Sequence, residues 1–252
     1  MHKKIALITG GSRGLGRSGA LALAKRGAGV ILTYRSNKAE ADAAVAEIAG
    51  LGGKAVALAL DVGHSETFAG FAAEVKRALQ ETWGRETFDF LVNNAGIGVH
   101  ASFAQTTEAQ FMDLMNVHIK GPFFLTQALL PLLADGGKIL NISTGLTRFT
   151  LPGYSAYAAM KGAMEVWTHY LAKELGARGI RANTLAPGAI ETDFGGGAVR
   201  DNAQLNAMIA GQTALGRVGK PEDIGGAIAA LLGDEAGWMN AQRVEASGGM
   251  FL

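Results

Sequence analysis

The 252-residue sequence predicts an α/β fold, a doubly wound parallel sheet of about seven strands with helices on both faces. Three observations carry that reading. Short apolar runs alternate with longer stretches of helical spacing along nearly the whole chain. The runs lack the apolar/polar alternation of a half-wet sheet, as expected of strands covered on both sides. A glycine cluster stands where the first run meets the first helical stretch.

The elements follow in order. KIALIT (4–9) reads as a strand, and GLGRSGALALAKRG (14–27) reads as a helix closing on Gly27, a C-cap residue. GVILTY (29–34) precedes the helical NKAEADAAVAEIAG (37–50), and KAVALAL (54–60) precedes SETFAGFAAEVKRALQETWG (65–84). FDFLVNNAG (88–96) leads into a long helical stretch from about Glu108 to Leu133. GKILNIS (137–143), a helix from about Ser155 to Ala177, and GIRANTLAP (179–187) complete the alternation. No repeat, low-complexity tract or linker interrupts it, so residues 1–252 read as a single domain. The irregular zone is ETDFGGGAVRDNAQLNAMIAGQ, whose three consecutive glycines suggest a mobile segment. It is either a surface loop or, at about 189–212, a substrate lid, because ligands of open parallel sheets bind beyond the carboxyl ends of the strands.

Charge and composition exclude several functions. With 23 basic residues against 22 acidic ones and a net charge of +1, the chain lacks the basic field that nucleic-acid or membrane-surface binding needs. There is no cysteine, hence no disulfide and no thiolate chemistry. The basic start MHKK precedes an apolar run of only about five residues, too short for a signal peptide or a membrane span. The expected setting is cytoplasmic and the expected partner a small molecule. None of the five histidines has metal-ligand spacing, with His2 and His64 expected at the surface.

TGGSRGLG (9–16) places Gly10, Gly14 and Gly16 between strand and helix. Absent side chains let the backbone approach a pyrophosphate, and the helix start supplies free N–H groups; a tight turn is the plainer alternative. Gly10 to Gly14 also satisfy G-x-S-x-G, the nucleophile elbow of serine hydrolases, although Ser12 follows the first strand rather than a central one. The second strand ends in Tyr34, Arg35 and Ser36, where an NAD-binding fold usually presents a carboxylate. A guanidinium and a hydroxyl suit a 2′-phosphate, with Arg13 as a second arm, which points to NADP(H). Tyr157 and Lys161 lie four apart on one helix face, a spacing that lets an ammonium favour the phenolate and make the tyrosine a general acid/base.

Taken together, TGGSRGLG, Asp61-Val62, NNAG at 93–96, a Ser/Thr pair before YAAMK and PGAIET at 187–192 make the sequence resemble the short-chain dehydrogenase/reductase superfamily over essentially its whole length. The resemblance implies a Rossmann fold. It also implies that Ser12, Arg13 and Leu15 belong to the cofactor loop, that Asp61 and Val62 border the adenine, and that Asn93, Asn94, Ala95 and Gly96 line the ribose side. Pro187, Gly188, Ile190 and Thr192 would hold the nicotinamide end. Tyr157 would be the proton donor in carbonyl reduction, and Lys161 would bind the nicotinamide ribose and tune Tyr157. A homo-oligomer, tetramer or dimer, is implied as well.

Two positions depart from the family pattern. Counting back from Tyr157, the catalytic serine falls on Thr144, preceded by Ser143; Thr144 keeps the hydroxyl, and Ser143 is expected on the opposite strand face. Aligning on Gly121-Pro122-Phe123-Phe124 puts His118 where the family has an asparagine that holds water for the proton relay. An imidazole can bond in its place and titrates near neutrality, so His118→Asn is expected to alter the pH profile; a core histidine on a backbone carbonyl is the alternative.

These features predict an NADP(H)-dependent ketone or aldehyde reductase, or alcohol dehydrogenase. Its pocket would draw on Ile97 to Phe103, Leu146, Phe149 and Phe194. Within the family, 3-oxoacyl-[acyl-carrier-protein] reductase and sugar dehydrogenase remain open. Outside it stands an NADP-binding regulator on the same fold.

Overall fold

The computed structural model describes Met1 and residues 3–252; His2 lies outside the described residues. Seven parallel strands form one sheet in the order β3-β2-β1-β4-β5-β6-β7. They are β1 (Ile5–Ile8), β2 (Gly29–Tyr34), β3 (Ala55–Ala59), β4 (Phe88–Asn93), β5 (Leu133–Ile142), β6 (Arg181–Pro187) and β7 (Arg243–Ala246). The apolar runs are explained by what lies on each face. Alternate residues Ala6 and Ile8 enter one core, and Ile5 and Leu7 enter the other, so all four are buried.

The first face carries α1 (Gly14–Lys25), α2 (Lys38–Gly50) and α9 (Pro221–Leu231), with the short α7 (Ala198–Asp201) and α8 (Ala203–Gly211) lying between β6 and α9 in the chain. The second carries α3 (Phe68–Trp83), α5 (Gly121–Leu129) and α6 (Ser155–Glu174). Local chemistry sets several boundaries. Asn37 accepts a hydrogen bond from the Glu40 amide at the start of α2. Gly84, with φ 63°, ends α3, and Thr107 and Gln110 form a reciprocal capping box on α4 (Glu108–Met115). Pro221 opens α9 at a position that needs no N–H.

Two elements differ from the sequence reading. The stretch from Glu108 is not one helix: a π-helical turn, Asn116–Lys120, separates α4 from α5 and carries His118 into the interior. Strand β7 is marked by no apolar run, because an edge strand can hold Arg243 and Glu245 in alternation with Val244 and Ala246. Strand order reverses between β1 and β4, which brings the loops after them side by side. In open α/β sheets that crevice is the ligand site. Among the described residues no helix is long and apolar enough to cross a membrane.

Candidate active site

The glycine loop is built to exclude side chains. Gly10 and Gly14 adopt φ of 63° and 54°. A Cβ on Gly16 would sit 2.2 Å from the Gly10 carbonyl oxygen and 2.5 Å from Asn94 Nδ2. Asn94 Nδ2 donates to the carbonyls of Thr9 (2.9 Å) and Gly10 (3.1 Å), tying the end of β4 to the loop. The buried Thr9 hydroxyl accepts from the amides of Asn94 and Ala95, both at 3.0 Å, and Thr33 accepts from the Gly10 amide. Thr33 carries no motif signal and Thr9 enters only as the first residue of TGGSRGLG; a polar residue at the carboxyl end of each apolar run was the available clue. Among the described residues no side chain caps the start of α1, which leaves its first amides available to an anion.

Around this loop the sequence-predicted residues divide. Thr192 packs within 3.8 Å of the Cβ position of Gly14, and Gly188 lies against Ser247, so the segment after β6 forms the facing bank. Ile190 bridges to Gly219, and Pro187 ends β6. Ser12 and Val62 are buried, and Leu15 packs on the core behind the loop. The Asp61 carboxylate accepts from the Gly63 amide at 2.9 Å and faces His64 at 3.4 Å. Tyr34 is half-buried, while Arg35 and Ser36 are exposed beyond β2. Arg13 reaches Asp193 at 3.8 Å. Asn93 is not brought to the crevice: it is buried within the sheet, where its amide donates to Asn141 (2.8 Å) and Thr126 (3.2 Å).

The second group gathers past the end of β5. Tyr157 is buried in a cluster with Leu114 and Met160, edged by Ile97, Leu146 and Tyr154. Burial pushes its phenol pKa up, and the nearby Thr144 hydroxyl pulls the other way. Lys161 Nζ donates to the Ile142 carbonyl at 2.7 Å and lies 5.8 Å from the Tyr157 ring centroid. Burial pushes the Lys161 ammonium down to about 7, opposed by the Glu165 carboxylate. The sequence-based expectation of a tyrosine lowered by its lysine therefore gives way to burial, which keeps the phenol protonated. Ser143 is turned away, its hydroxyl donating to Glu165 at 2.6 Å.

His118 lies edge-on to Tyr157, with centroids 5.1 Å apart and planes at 87°. Its Nε2 donates to the Ile97 carbonyl at 2.8 Å, and its buried Nδ1 has no partner among the described residues. Burial and the neighbouring Lys161 charge hold its pKa well below the usual histidine range. The imidazole is neutral, so the expected titration near pH 7 does not occur at this position. Phe194, at the start of the Gly195–Gly197 run, covers the group from above, 5.8 Å from Tyr157 and against Gly98. Phe103 is exposed and stands outside the group, and Phe149 packs on Phe251.

A glycine crevice at the strand-order reversal, facing the Thr144 hydroxyl beside buried Tyr157 and Lys161, is the arrangement of a nicotinamide-dependent oxidoreductase. Residues 10–251 match the family described as Enoyl-(Acyl carrier protein) reductase. The chain belongs to the short-chain dehydrogenases/reductases. This short-chain dehydrogenase/reductase is similar to the tetrahydroxynaphthalene reductase PfmaG of Pestalotiopsis fici, with 35% identity over 257 residues, 98% of this chain and 91% of that one. Among solved structures it resembles the promiscuous reductase LugOII, which catalyses keto-reduction at C1 during lugdunomycin biosynthesis. That likeness has a TM-score of 0.94 and 38% identity, covering 100% of this chain and 99% of the other. The angucycline C-6 ketoreductase LanV, solved with bound NADP, gives a TM-score of 0.94 and 32% identity over 99% and 96% of the two chains.

Proposed function

We propose that this short-chain dehydrogenase/reductase is an NADP(H)-dependent ketone reductase whose substrates are apolar, ring-bearing ketones. The observation that carries the reading is the convergence of Thr144, Tyr157 and Lys161 past the end of β5, beside a glycine loop whose Gly16 leaves no space for a Cβ. The loop fits a dinucleotide: positive-φ glycines, an uncapped helix start and the Asn94 brace expose backbone amides to a pyrophosphate. Arg35 and Ser36, with Arg13, supply a cation and a hydroxyl for a 2′-phosphate, and no acidic residue stands at that strand end to repel it. When bound, the nicotinamide supplies the hydride for reduction, or takes it up in the reverse reaction.

The chain's own residues do the rest. A Tyr157 phenol kept protonated by burial gives its proton to the carbonyl oxygen, and the Thr144 hydroxyl holds that oxygen. Lys161 presents positive charge beside Tyr157 from its seat on the Ile142 carbonyl. His118 holds the Ile97 loop as a neutral donor and holds water in the relay through its free Nδ1. Residues 189–212 serve as the lid, with Phe194 over the ring of Tyr157 excluding water from the transfer. Asp61, Val62, Pro187, Gly188, Ile190 and Thr192 border the cofactor. The whole chain acts as one domain, in the cytoplasm, as a homo-oligomer.

The substrate class follows from the walls, Ile97, Val99, Leu146, Tyr154 and Phe194, which offer apolar and aromatic contact. PfmaG, named as a tetrahydroxynaphthalene reductase, LugOII, described as catalysing a keto-reduction at C1, and LanV, described as an angucycline C-6 ketoreductase, support it. An acidic carrier protein is disfavoured because its two candidate cations are engaged: Arg148 with Glu245 and Arg200 with Asp193 and Asp201. The test is NADPH oxidation across naphthalenone-type ketones, simple ketones, aldehydes, 3-oxoacyl thioesters and sugars. Tyr157→Phe should lose nearly all turnover while binding NADPH as before. An active Tyr157→Phe enzyme refutes the proton-donor role, and no turnover on any substrate favours a cofactor-binding regulator.

A further inference from the structure

Glu165 lies four residues past Lys161 and eight past Tyr157, so one face of α6 carries all three. One oxygen of its carboxylate, Oε1, receives the Ser143 hydroxyl at 2.6 Å, the Thr147 hydroxyl at 2.8 Å and Arg243 Nε at 2.9 Å. Arg243 in turn donates through Nη2 to the Thr144 carbonyl (3.2 Å) and to the Thr147 hydroxyl (3.1 Å). Its Nη1 meets Glu245 at 3.0 Å. Residues 143, 144 and 147 therefore hang on a carboxylate–guanidinium pair that joins α6 to edge strand β7. Both partners are mostly shielded, with side chains 17% and 24% exposed, so this pair is stronger than a surface ion pair.

We propose that Glu165, acting with Arg243, is a positioning residue that fixes the strand end presenting Thr144 and supports the charged form of Lys161. The inference rests on the reductase reading for its kinetic consequence, though not for its structural one. Two features give the brace its role. Thr144 is extended, with φ −159° and ψ 155°, at the last residue before a short 3₁₀ turn, where its carbonyl accepts from Arg243 and from the Thr147 hydroxyl (3.0 Å), both of which Glu165 holds. Lys161 is buried, and the charges and dipoles facing it are few: Glu165 and Tyr157 on α6, neutral His118 on the π turn and the Ile142 carbonyl on β5. Arg243 stands behind Glu165. Glu165 is the carboxylate that opposes the burial of Lys161.

The experiment compares wild type, Glu165→Gln, Glu165→Asp and Arg243→Gln. Turnover is measured against pH on whichever ketone the substrate screen finds, and hydrogen exchange over residues 143–149 is measured on the protein without cofactor. Reduction needs protonated Lys161, so its rate falls as pH rises through the lysine's titration. Removing the Glu165 charge should move that alkaline limb down by about one pH unit, as expected for charges one helical turn apart in a medium of intermediate dielectric. Arg243→Gln leaves the Glu165 charge less compensated and should move the limb up. Both should speed exchange at 143–149 roughly tenfold, and Glu165→Asp should restore part of kcat while KM for NADPH stays near wild type. A limb that stays in place in Glu165→Gln, or moves the same way in both variants, overturns the proposal. Should Glu165→Gln not fold, the upward shift in Arg243→Gln decides. Should the wild type turn over no ketone, the reductase reading fails instead, and unchanged exchange at 143–149 in the variants would then overturn the positioning role separately.

Discussion

Replacing Gly16 with alanine puts a methyl carbon 2.2 Å from the Gly10 carbonyl oxygen, 2.5 Å from Asn94 Nδ2 and 2.9 Å from the Gly10 carbonyl carbon. Two of those three atoms are backbone and cannot swing aside. Restoring ordinary contact separation, roughly 3.5 Å, moves the glycine loop by about 1 Å relative to α1 and strains the Asn94 brace. Such overpacking costs about 1–3 kcal/mol, of which the better helix propensity of alanine returns at most about 1 kcal/mol. The effect on cofactor should be larger than the effect on folding. Amide bonds to a charged phosphate contribute about 1.5–3 kcal/mol each, and a loop displaced by 1 Å loses at least one. At about 1.4 kcal/mol per factor of ten, NADPH should bind about 10- to 100-fold more weakly. NADPH fluorescence titration beside a thermal melt reads both quantities. Gly70→Ala on α3, where a Cβ meets nothing within 4 Å, is the control that should keep affinity and raise Tm. If Gly16→Ala binds NADPH within twofold of wild type, the close approach of backbone to pyrophosphate is not what this glycine provides.

Arg35→Asp should turn preference towards NADH, by about tenfold or more in the ratio of kcat/KM values, since it replaces attraction to a 2′-phosphate with repulsion; an unchanged ratio removes Arg35 from the cofactor site. His118→Asn should leave the kcat profile between about pH 6 and 8 where it is, because the buried imidazole is already neutral throughout that range. A profile that shifts there would mean that His118 titrates during turnover. Lys161 has a folded-state pKa of about 7 against an ordinary 10.5, so between those values the unfolded chain holds a proton the folded protein has released. Its contribution to stability therefore grows as pH rises through that window. Without cofactor, the urea midpoint of wild type should climb more between pH 7 and 9 than that of Lys161→Met, and equal climbs would refute the depressed value.

Much of the site is legible in the sequence because its parts are local. A glycine loop between a strand and a helix, and a tyrosine and lysine four apart, declare their geometry through spacing alone. The Thr144 assignment over Ser143 follows from strand alternation, and the structure turns Ser143 to Glu165 and Thr144 to Tyr157. Glu165 was visible only as one more residue on a helix face, because its partners Arg243 and Thr147 come from elements up to 78 residues away. Asn93 and Asn94 look equivalent in the sequence, yet alternation along β4 sends one into the sheet and the other to the glycine loop.

The sequence by itself determined the layered architecture, since runs of apolar residues on both parities of a strand can be satisfied only between two helical layers. It also pointed to a dinucleotide loop at residues 9–16 and to Tyr157 as the candidate acid. Only the tertiary structure decided the charge states. Whether Tyr157 and His118 are protonated depends on how much water and how many charges surround them, which is a property of the packed interior and not of sequence neighbours. It likewise decided that His118 faces inward at all, because one extra residue in a π turn rotates the helix face that an α-helical period would have assigned.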